Sequence, residues 1–320
     1  MAKTVECVPN FSEGRDSLKI ERIVDSVRNN DKVKLINYEA DADYNRTVVT
    51  LIGDPEQMIE VIMNMVKICL KEIDLNNHTG EHARMGAIDV IPFIPVADVS
   101  MNECVDYANI LAEKIAKTYS IPCFLYAEAA REEKRISLPN IRKGEFEGMK
   151  EKIKLPEWAP DYGEQEIHPT FGVIGVGARD FLIAYNIDVL TKDEKITGNF
   201  AKAIRQSSGG YQFVQAGPVF LENRGHTQVT MNILNFKKNP IYRIFEAVKT
   251  EAKRYHLDVP SAEIVGLIPK DALVRSLKYY FEVEGLTFPK EADLNEICDF
   301  STKYLKLRDF TVDKIIDYFL

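Results

Sequence analysis

Two successive runs of strand, helix, strand, strand, helix, strand are what most constrain the fold of this chain. In the first half, apolar alternation predicts strands at 5–11, 33–38 and 46–52, and an amphipathic helix at 17–27 carries Leu18, Ile23, Val24 and Val27 on one side. Asp54-Pro55-Glu56-Gln57 then supplies a capping carboxylate, a proline at the first helical position and Gln at the third, so a helix begins there. Residues 58–73 are apolar on most faces, which predicts a helix covered on more than one side. A strongly apolar strand at 87–96, broken by Pro92 and Pro95, is followed by a capping box, Ser100 with Glu103, that opens a helix to about residue 119; a strand at 121–126 closes the half. The order then returns: strand 181–190, a helix capped by Thr191 with Glu194, strands 211–221 and 227–236, helix 240–257 and strand 262–268. The best internal match pairs 46–52 and 89–95 with 228–234 and 263–269, the last segment of each half ending on Ile-Pro. The expectation is an α+β protein of two ferredoxin-like (split βαβ) subdomains that arose by duplication, spanning 1–178 and 179–320. Final helices near 270–280 and 291–307 carry no recognisable chemistry and are expected to cover the second sheet.

A length of 320 residues, with 45% hydrophobic and 28% charged side chains, fits an ordinary globular chain of two domains. The amino-terminal residues lack a charged leader with an apolar core, and no stretch approaches the roughly 18 apolar residues of a membrane span. A cytoplasmic protein without membrane contact is expected. Cys7, Cys69, Cys104, Cys123 and Cys298 are odd in number, scattered and never in CxxC spacing, which suggests buried thiols and neither a disulfide framework nor a thiolate zinc site. Lys and Arg total 41 against 49 Asp and Glu, net −8, with no basic run to track a phosphate backbone. Nucleic acid is not an expected partner, and an anionic small molecule needs a local cluster of cations.

The run His78-Thr79-Gly80-Glu81-His82-Ala83-Arg84-Met85-Gly86 concentrates two of the chain's five histidines with a carboxylate and a guanidinium. Imidazoles at i and i+4 would share a helix face as zinc ligands, but Gly80 lies between them and HExxH order is absent, so a loop is favoured over a metal site. Two readings stay open. The histidines hold a loop together, or one of them moves protons while a carboxylate orients it and an arginine fixes an anion. Gly175-Val176-Gly177 precedes the strand at 181 and lacks a third glycine, which removes a dinucleotide fingerprint and leaves close backbone approach. Arg179, and the trio Asn45-Arg46-Thr47 at a strand mouth, read equally as ligand contacts or as a solvated side chain and a turn. His168 and His226 stand alone, and His256 falls at a helix C-terminus, where a dipole contact suffices. Segment 157–172 joins the halves, and its two prolines, two glycines and three aromatics make it a structured loop at a junction where pockets are common.

Val5-Glu6-Cys7-Val8-Pro9-Asn10-Phe11-Ser12-Glu13-Gly14, Asn45-Arg46-Thr47, the His78 to Gly86 run, Ile91-Pro92-Phe93-Ile94-Pro95, Leu125-Tyr126-Ala127-Glu128-Ala129-Ala130-Arg131 and Ile264-Val265-Gly266-Leu267-Ile268-Pro269 together closely resemble the glutamate formimidoyltransferase (formiminotransferase) family, in register from end to end. The resemblance implies two ferredoxin-like subdomains, a homodimer, and transfer of a formimino group from N-formimino-L-glutamate to N5 of tetrahydrofolate, the co-substrate, in histidine degradation and one-carbon metabolism, with no metal. It places the catalytic histidine on His82 and folate binding on Gly163-Glu164-Gln165-Glu166-Ile167-His168-Pro169-Thr170-Phe171-Gly172, where Phe171 could offer a face to the pterin or serve the core. That loop is more acidic than a dianionic folate tail calls for. Arg46, Arg84 and Arg179, with Asn45, are the candidates for gripping glutamate carboxylates. Alternatives of other kinds are formyl exchange between 5-formyltetrahydrofolate and glutamate, a non-catalytic folate-binding subunit that serves a separate cyclodeaminase, and, more remotely, a metal-dependent hydrolase.

Overall fold

The structure is a computed structural model that describes residues 3–42, 44–222 and 224–319. The chain forms two compact units, Met1–Asp180 and Phe181–Leu320. Two sheets and ten α-helices among the described residues make it a mixed α+β protein.

In the first unit β1 (Thr4–Cys7) and β2 (Asn10–Phe11) lie end to end, both antiparallel to β4 (Arg46–Gly53) on one side and to β5 (Ile88–Ala97) on the other. The expected strand at 5–11 is therefore one strand broken at Val8-Pro9, where proline has no N–H to give a ladder. β3 (Val33–Asp41) forms the edge beyond β4. On the far side of β5 run two parallel strands, first β7 (Ile174–Ala178) and then β6 (Cys123–Ala127).

Helices α1 (Ser17–Arg28), α2 (Pro55–Glu72) and α3 (Met101–Tyr119) bury one face of this sheet. The stripe Ile20, Ile23, Val24 and Val27 of α1 packs there, at about 1.5–3 kcal/mol per fully buried aliphatic side chain. Asp54 Oδ1 accepts from the backbone N–H of Glu56 and Gln57, and Ser100 and Glu103 form the reciprocal capping box anticipated for α3. The other face carries a second apolar cluster, to which α5 (Leu138–Arg142) and α6 (Glu145–Lys152) give Ile141 and Met149, while α4 (Glu133–Ile136) sets Arg135 over the Phe124 ring. Period-two alternation divides β6 between the two faces: Cys123 and Leu125 join the first cluster, Phe124 and Tyr126 the second. These three short helices carry too few periodic residues to have been anticipated. Gly175-Val176-Gly177 is itself strand, not a prelude to one. A Cβ on Gly177 would fall 2.7 Å from ring carbons of Tyr126, so the glycine serves close approach.

The second unit contains β8 (Ile183–Val189), α7 (Glu194–Ile204), β9 (Val214–Leu221), β10 (His226–Ile233), α8 (Ile241–Arg254) and β11 (Ala262–Val265), followed by α9 (Lys270–Val283) and α10 (Leu294–Leu305). Its strands pair antiparallel in the order β11-β8-β10-β9. Taking β1 and β2 as one strand, β5, β1/β2, β4 and β3 of the first unit stand in that same fourth, first, third, second order. The α7 cap is Asp193, whose carboxylate accepts from the Lys195 N–H; Thr191, expected there, instead accepts from the Asp193 N–H. Ile183, Tyr185, Ile187 and Val189 face the helices, while Asp188 on the opposite face is buried and bonded by Gln228, Ser261 and Arg308. His226 is not alone: its Nε2 lies 3.4 Å from Asp188. None of the described helices is long and apolar enough to cross a membrane.

Candidate active site

Three loops of the first unit interlock at the mouth of β4. Asn45, in the left-handed conformation that the β3–β4 turn requires, uses its whole side chain as a staple: Oδ1 accepts from the Gly14 N–H and Nδ2 donates to the Thr79 carbonyl, both at 2.9 Å. Its carbonyl meets His78 Nε2 at 2.9 Å. The expectation that Asn45 contacts substrate therefore gives way to the turn reading. Gly80 passes so near this turn that a Cβ would lie 2.5 Å from the Tyr44 carbonyl oxygen. Gly86 passes equally close to the strand that follows residue 172, where a Cβ would lie 2.0 Å from the Val173 oxygen. The two glycines thus press the histidine loop against β4 on one side and the 163–172 segment on the other.

Within the loop the two histidines are unequal. His78 is buried, with Nε2 on Asn45 and Nδ1 accepting from Arg84 Nε at 3.3 Å, so it is a neutral strut; burial and then the Arg84 charge hold it below the ordinary imidazole range. With both nitrogens committed, it does not converge with His82 on a common ion, and among the described residues no group of three or more His, Cys, Asp or Glu could hold a metal. Arg84 is buried as well. Its guanidinium is taken up by Glu145 and Glu147 of α6, at 2.8 and 2.7 Å, and by the His78 carbonyl. The expected substrate-gripping role for Arg84 is therefore replaced by that of a loop anchor, because its fork is already saturated.

His82 faces cations. Burial, then the charges of Arg46, Arg142 and Arg84, push its imidazole down to about 2, so it is neutral at physiological pH. Its Nδ1 is buried without a hydrogen-bond partner, as is Nε of Arg46, whose guanidinium lies 5.4 Å from the Tyr44 ring centre. Glu81, the carboxylate expected to orient an imidazole, is exposed. Two residues that matter here escaped the sequence reading. Asp89, only 1% exposed, accepts from the Met85 N–H through Oδ1 at 2.9 Å and from Arg142 Nε through Oδ2 at 2.8 Å, tying the end of the loop to the arginine beside His82. A carboxylate inside the apolar run Ile88-Asp89-Val90-Ile91 was the available signal, since a buried charge demands a partner. Arg142 sits in no motif.

Arg179 bears on the buried carboxyl of Glu6 and, together with Arg142, on the Tyr126 hydroxyl. In the 163–172 segment Phe171 is fully buried and packs in the first core. His168 Nδ1 accepts from the Phe171 N–H, and Asn76 Nδ2 donates to the Pro169 carbonyl, locking the segment to the turn before the histidine loop. Gly163, Glu164, Gln165, Glu166 and Pro169 are exposed, Ile167, His168 and Thr170 half-buried, and Gly172 is buried in a bridge with Gly86. All five cysteines are buried free thiols.

A neutral imidazole in the field of several guanidinium groups can take up a proton, and the same cations can hold an anionic small molecule. The chain belongs to the formiminotransferase family: residues 4–179 match the N-terminal subdomain of the formiminotransferase domain, and 184–320 match the formiminotransferase domain itself. Among its relatives, glutamate formimidoyltransferase of Streptococcus pyogenes serotype M1 is 45% identical over 91% of this chain and 97% of that protein. The protein of the same name from Thermoplasma acidophilum is 42% identical over 88% and 93%. Formimidoyltransferase-cyclodeaminase of Gallus gallus is 39% identical over 91% of this chain but 55% of its own length.

Proposed function

We propose that the protein transfers the formimino group of N-formimino-L-glutamate to N5 of tetrahydrofolate, giving 5-formiminotetrahydrofolate and L-glutamate. The observation that carries this reading is the neutral His82 imidazole under the charges of Arg46 and Arg142, its Nδ1 buried without a hydrogen-bond partner among the described residues. N5 attacks the amidine carbon, the new C–N bond forms as His82 takes the N5 proton, and the tetrahedral intermediate collapses as that proton passes to the departing glutamate nitrogen. One imidazole serves both transfers. General acid–base catalysis of this kind is worth roughly 10²–10⁴ in rate, and alignment of the two substrates supplies the rest. Arg46 and Arg142 grip the donor, where a planar fork outperforms an ammonium. The exposed part of the 163–172 segment faces the folate through polar groups and backbone rather than by stacking, a role supported by its direct bonding to the histidine loop at Gly86 and Gly172.

The shared fourth, first, third, second strand order supports two ferredoxin-like subdomains, 1–178 and 179–320, related by duplication. The internally matched segments fall on β4 and β10 and on β5 and β11, the third and fourth strands of each order. A cytoplasmic homodimer that hands its product to a separate cyclodeaminase completes the reading. Its test is turnover by the purified chain with tetrahydrofolate and either formiminoglutamate or a formyl donor. His82→Ala is expected to lower kcat by roughly 10²–10⁴ while direct titration still detects folate binding. Near wild-type turnover by that variant would remove His82 from the mechanism, and turnover with the formyl donor alone would replace the formimino reaction.

A further inference from the structure

Two buried nitrogens in one site lack hydrogen-bond partners, Nδ1 of His82 and Nε of Arg46. Native proteins rarely leave such groups unpaired, because each forfeits its hydration without return. Among the described residues the nearby carboxylates have partners of their own. Glu145 and Glu147 hold Arg84, Asp89 holds Arg142 and the Met85 N–H, Asp41 accepts from the Tyr44 N–H while its charge bears on Arg46, and Glu81 is exposed. Among the described residues, the groups that bear most on the His82 ring are Arg46 from β4, Arg142 from α5, and His78 and Arg84 from its own loop, and none of them is an acceptor for an imidazole N–H carried on Nδ1. A proton-transfer imidazole needs its second nitrogen fixed, usually on a carboxylate or carbonyl, to set the tautomer and steady the cation that forms.

Resting on the reading above, we propose that one carboxylate of formiminoglutamate supplies that missing acceptor, bridging the Nδ1–H of His82 and the guanidinium of Arg46, so that the donor substrate itself completes the catalytic base. The proton on Nδ1 stays on the ring throughout, held against this carboxylate. Nε2 takes the N5 proton as the N5–C bond forms, then returns it to the glutamate nitrogen as the C–N bond breaks, so nothing is oxidised and no further reactant is required. In the unliganded site the surrounding cations oppose protonation of the ring; a bound carboxylate offsets them. The base is thus active only when the group to be transferred is already seated, which protects tetrahydrofolate from proton transfer without a partner.

Both carboxylates of the donor have this chemistry, and analogues lacking one or the other separate them. In the unmodified protein without tetrahydrofolate, where no transfer can occur, NMR titration of the His82 ring is expected to show saturating formiminoglutamate raising its pKa by about 1–3 pH units, the effect of an opposite charge within a few ångströms. Either N-formimino-4-aminobutyrate, which lacks the α-carboxylate, or N-formimino-2-aminobutyrate, which lacks the γ-carboxylate, is expected to leave the ring unmoved and, with tetrahydrofolate present, to lower kcat at saturation by at least about 100-fold. Formiminoglutamate that binds, as other resonances saturate, without moving the His82 titration would overturn the proposal, as would two analogues with native kcat. Absence of formiminoglutamate binding would instead overturn the functional reading, and the proposal with it.

Discussion

Asp89 shows how one side chain can matter to a reaction without touching it. It fixes Arg142 beside His82 and clamps the Met85 end of the loop with its other oxygen. Asp89→Asn keeps an acceptor for the Met85 N–H and removes the charge that holds Arg142. Hydrogen bonds to charged groups are worth roughly 1.5–3 kcal/mol, so KM for formiminoglutamate is expected to rise about tenfold or more in steady-state assays. The KM for tetrahydrofolate should change little, and an equal rise in both would refute the assignment. At this scale the sequence was legible where chemistry is local and misleading where partners are distant. The run that holds His78 and His82 stood out by composition alone, and only the family resemblance set His82 apart within it. Asn45, read equally as a ligand contact or a turn, and Arg84, a candidate for gripping carboxylates, could not be resolved further because Gly14, Glu145 and Glu147, which bond them, lie far along the chain. Arg142 was invisible for the converse reason: only the fold brings it beside the histidine.

Elements were legible wherever their ends are written in adjacent residues. The capping box of α3 depends on Ser100 and Glu103 alone, and the helix begins at Met101 as their spacing predicts. Ser100→Ala is expected to lower stability by about 0.5–2 kcal/mol, read from a denaturant midpoint at unchanged slope, with no effect on kcat. Thr191 failed as a cap because Asp193, two residues on, offers a carboxylate to the same helix start, and the ionised acceptor wins. The strand β7 was missed since its alternation sets glycine against one apolar cluster and Ile174, Val176 and Ala178 against the other, a pattern that carries hydrophobicity on one side only. A further prediction belongs to the loop glycines. Gly80→Ala places a methyl group against the Tyr44 carbonyl and should displace the histidine loop, lowering kcat by more than tenfold while near-ultraviolet circular dichroism retains the native signal.

At the scale of the whole molecule, buried ionisable groups make stability depend on pH in two opposed directions. Burial of Glu6 raises its carboxyl from 4.5 to about 7, with Arg179 opposing. The native state then binds more protons than the unfolded chain between these values, so stability falls as pH rises through that window, by at most about 3 kcal/mol. His82, lowered from 6.5 to about 2, acts in the other sense: its contribution is complete above 6.5 and is lost as pH falls toward 2. Urea titrations at pH 5 and pH 8 should show Glu6→Gln gaining relative to the native protein at the higher pH only; an equal difference at both would exclude Glu6 as the source. The interlocking of Gly86 with the strand after residue 172 has a consequence for the growing chain. The histidine loop emerges from the ribosome some 90 residues before the backbone that shapes its far side. Until that later segment arrives, the histidine is present but the packing that fixes its loop is not.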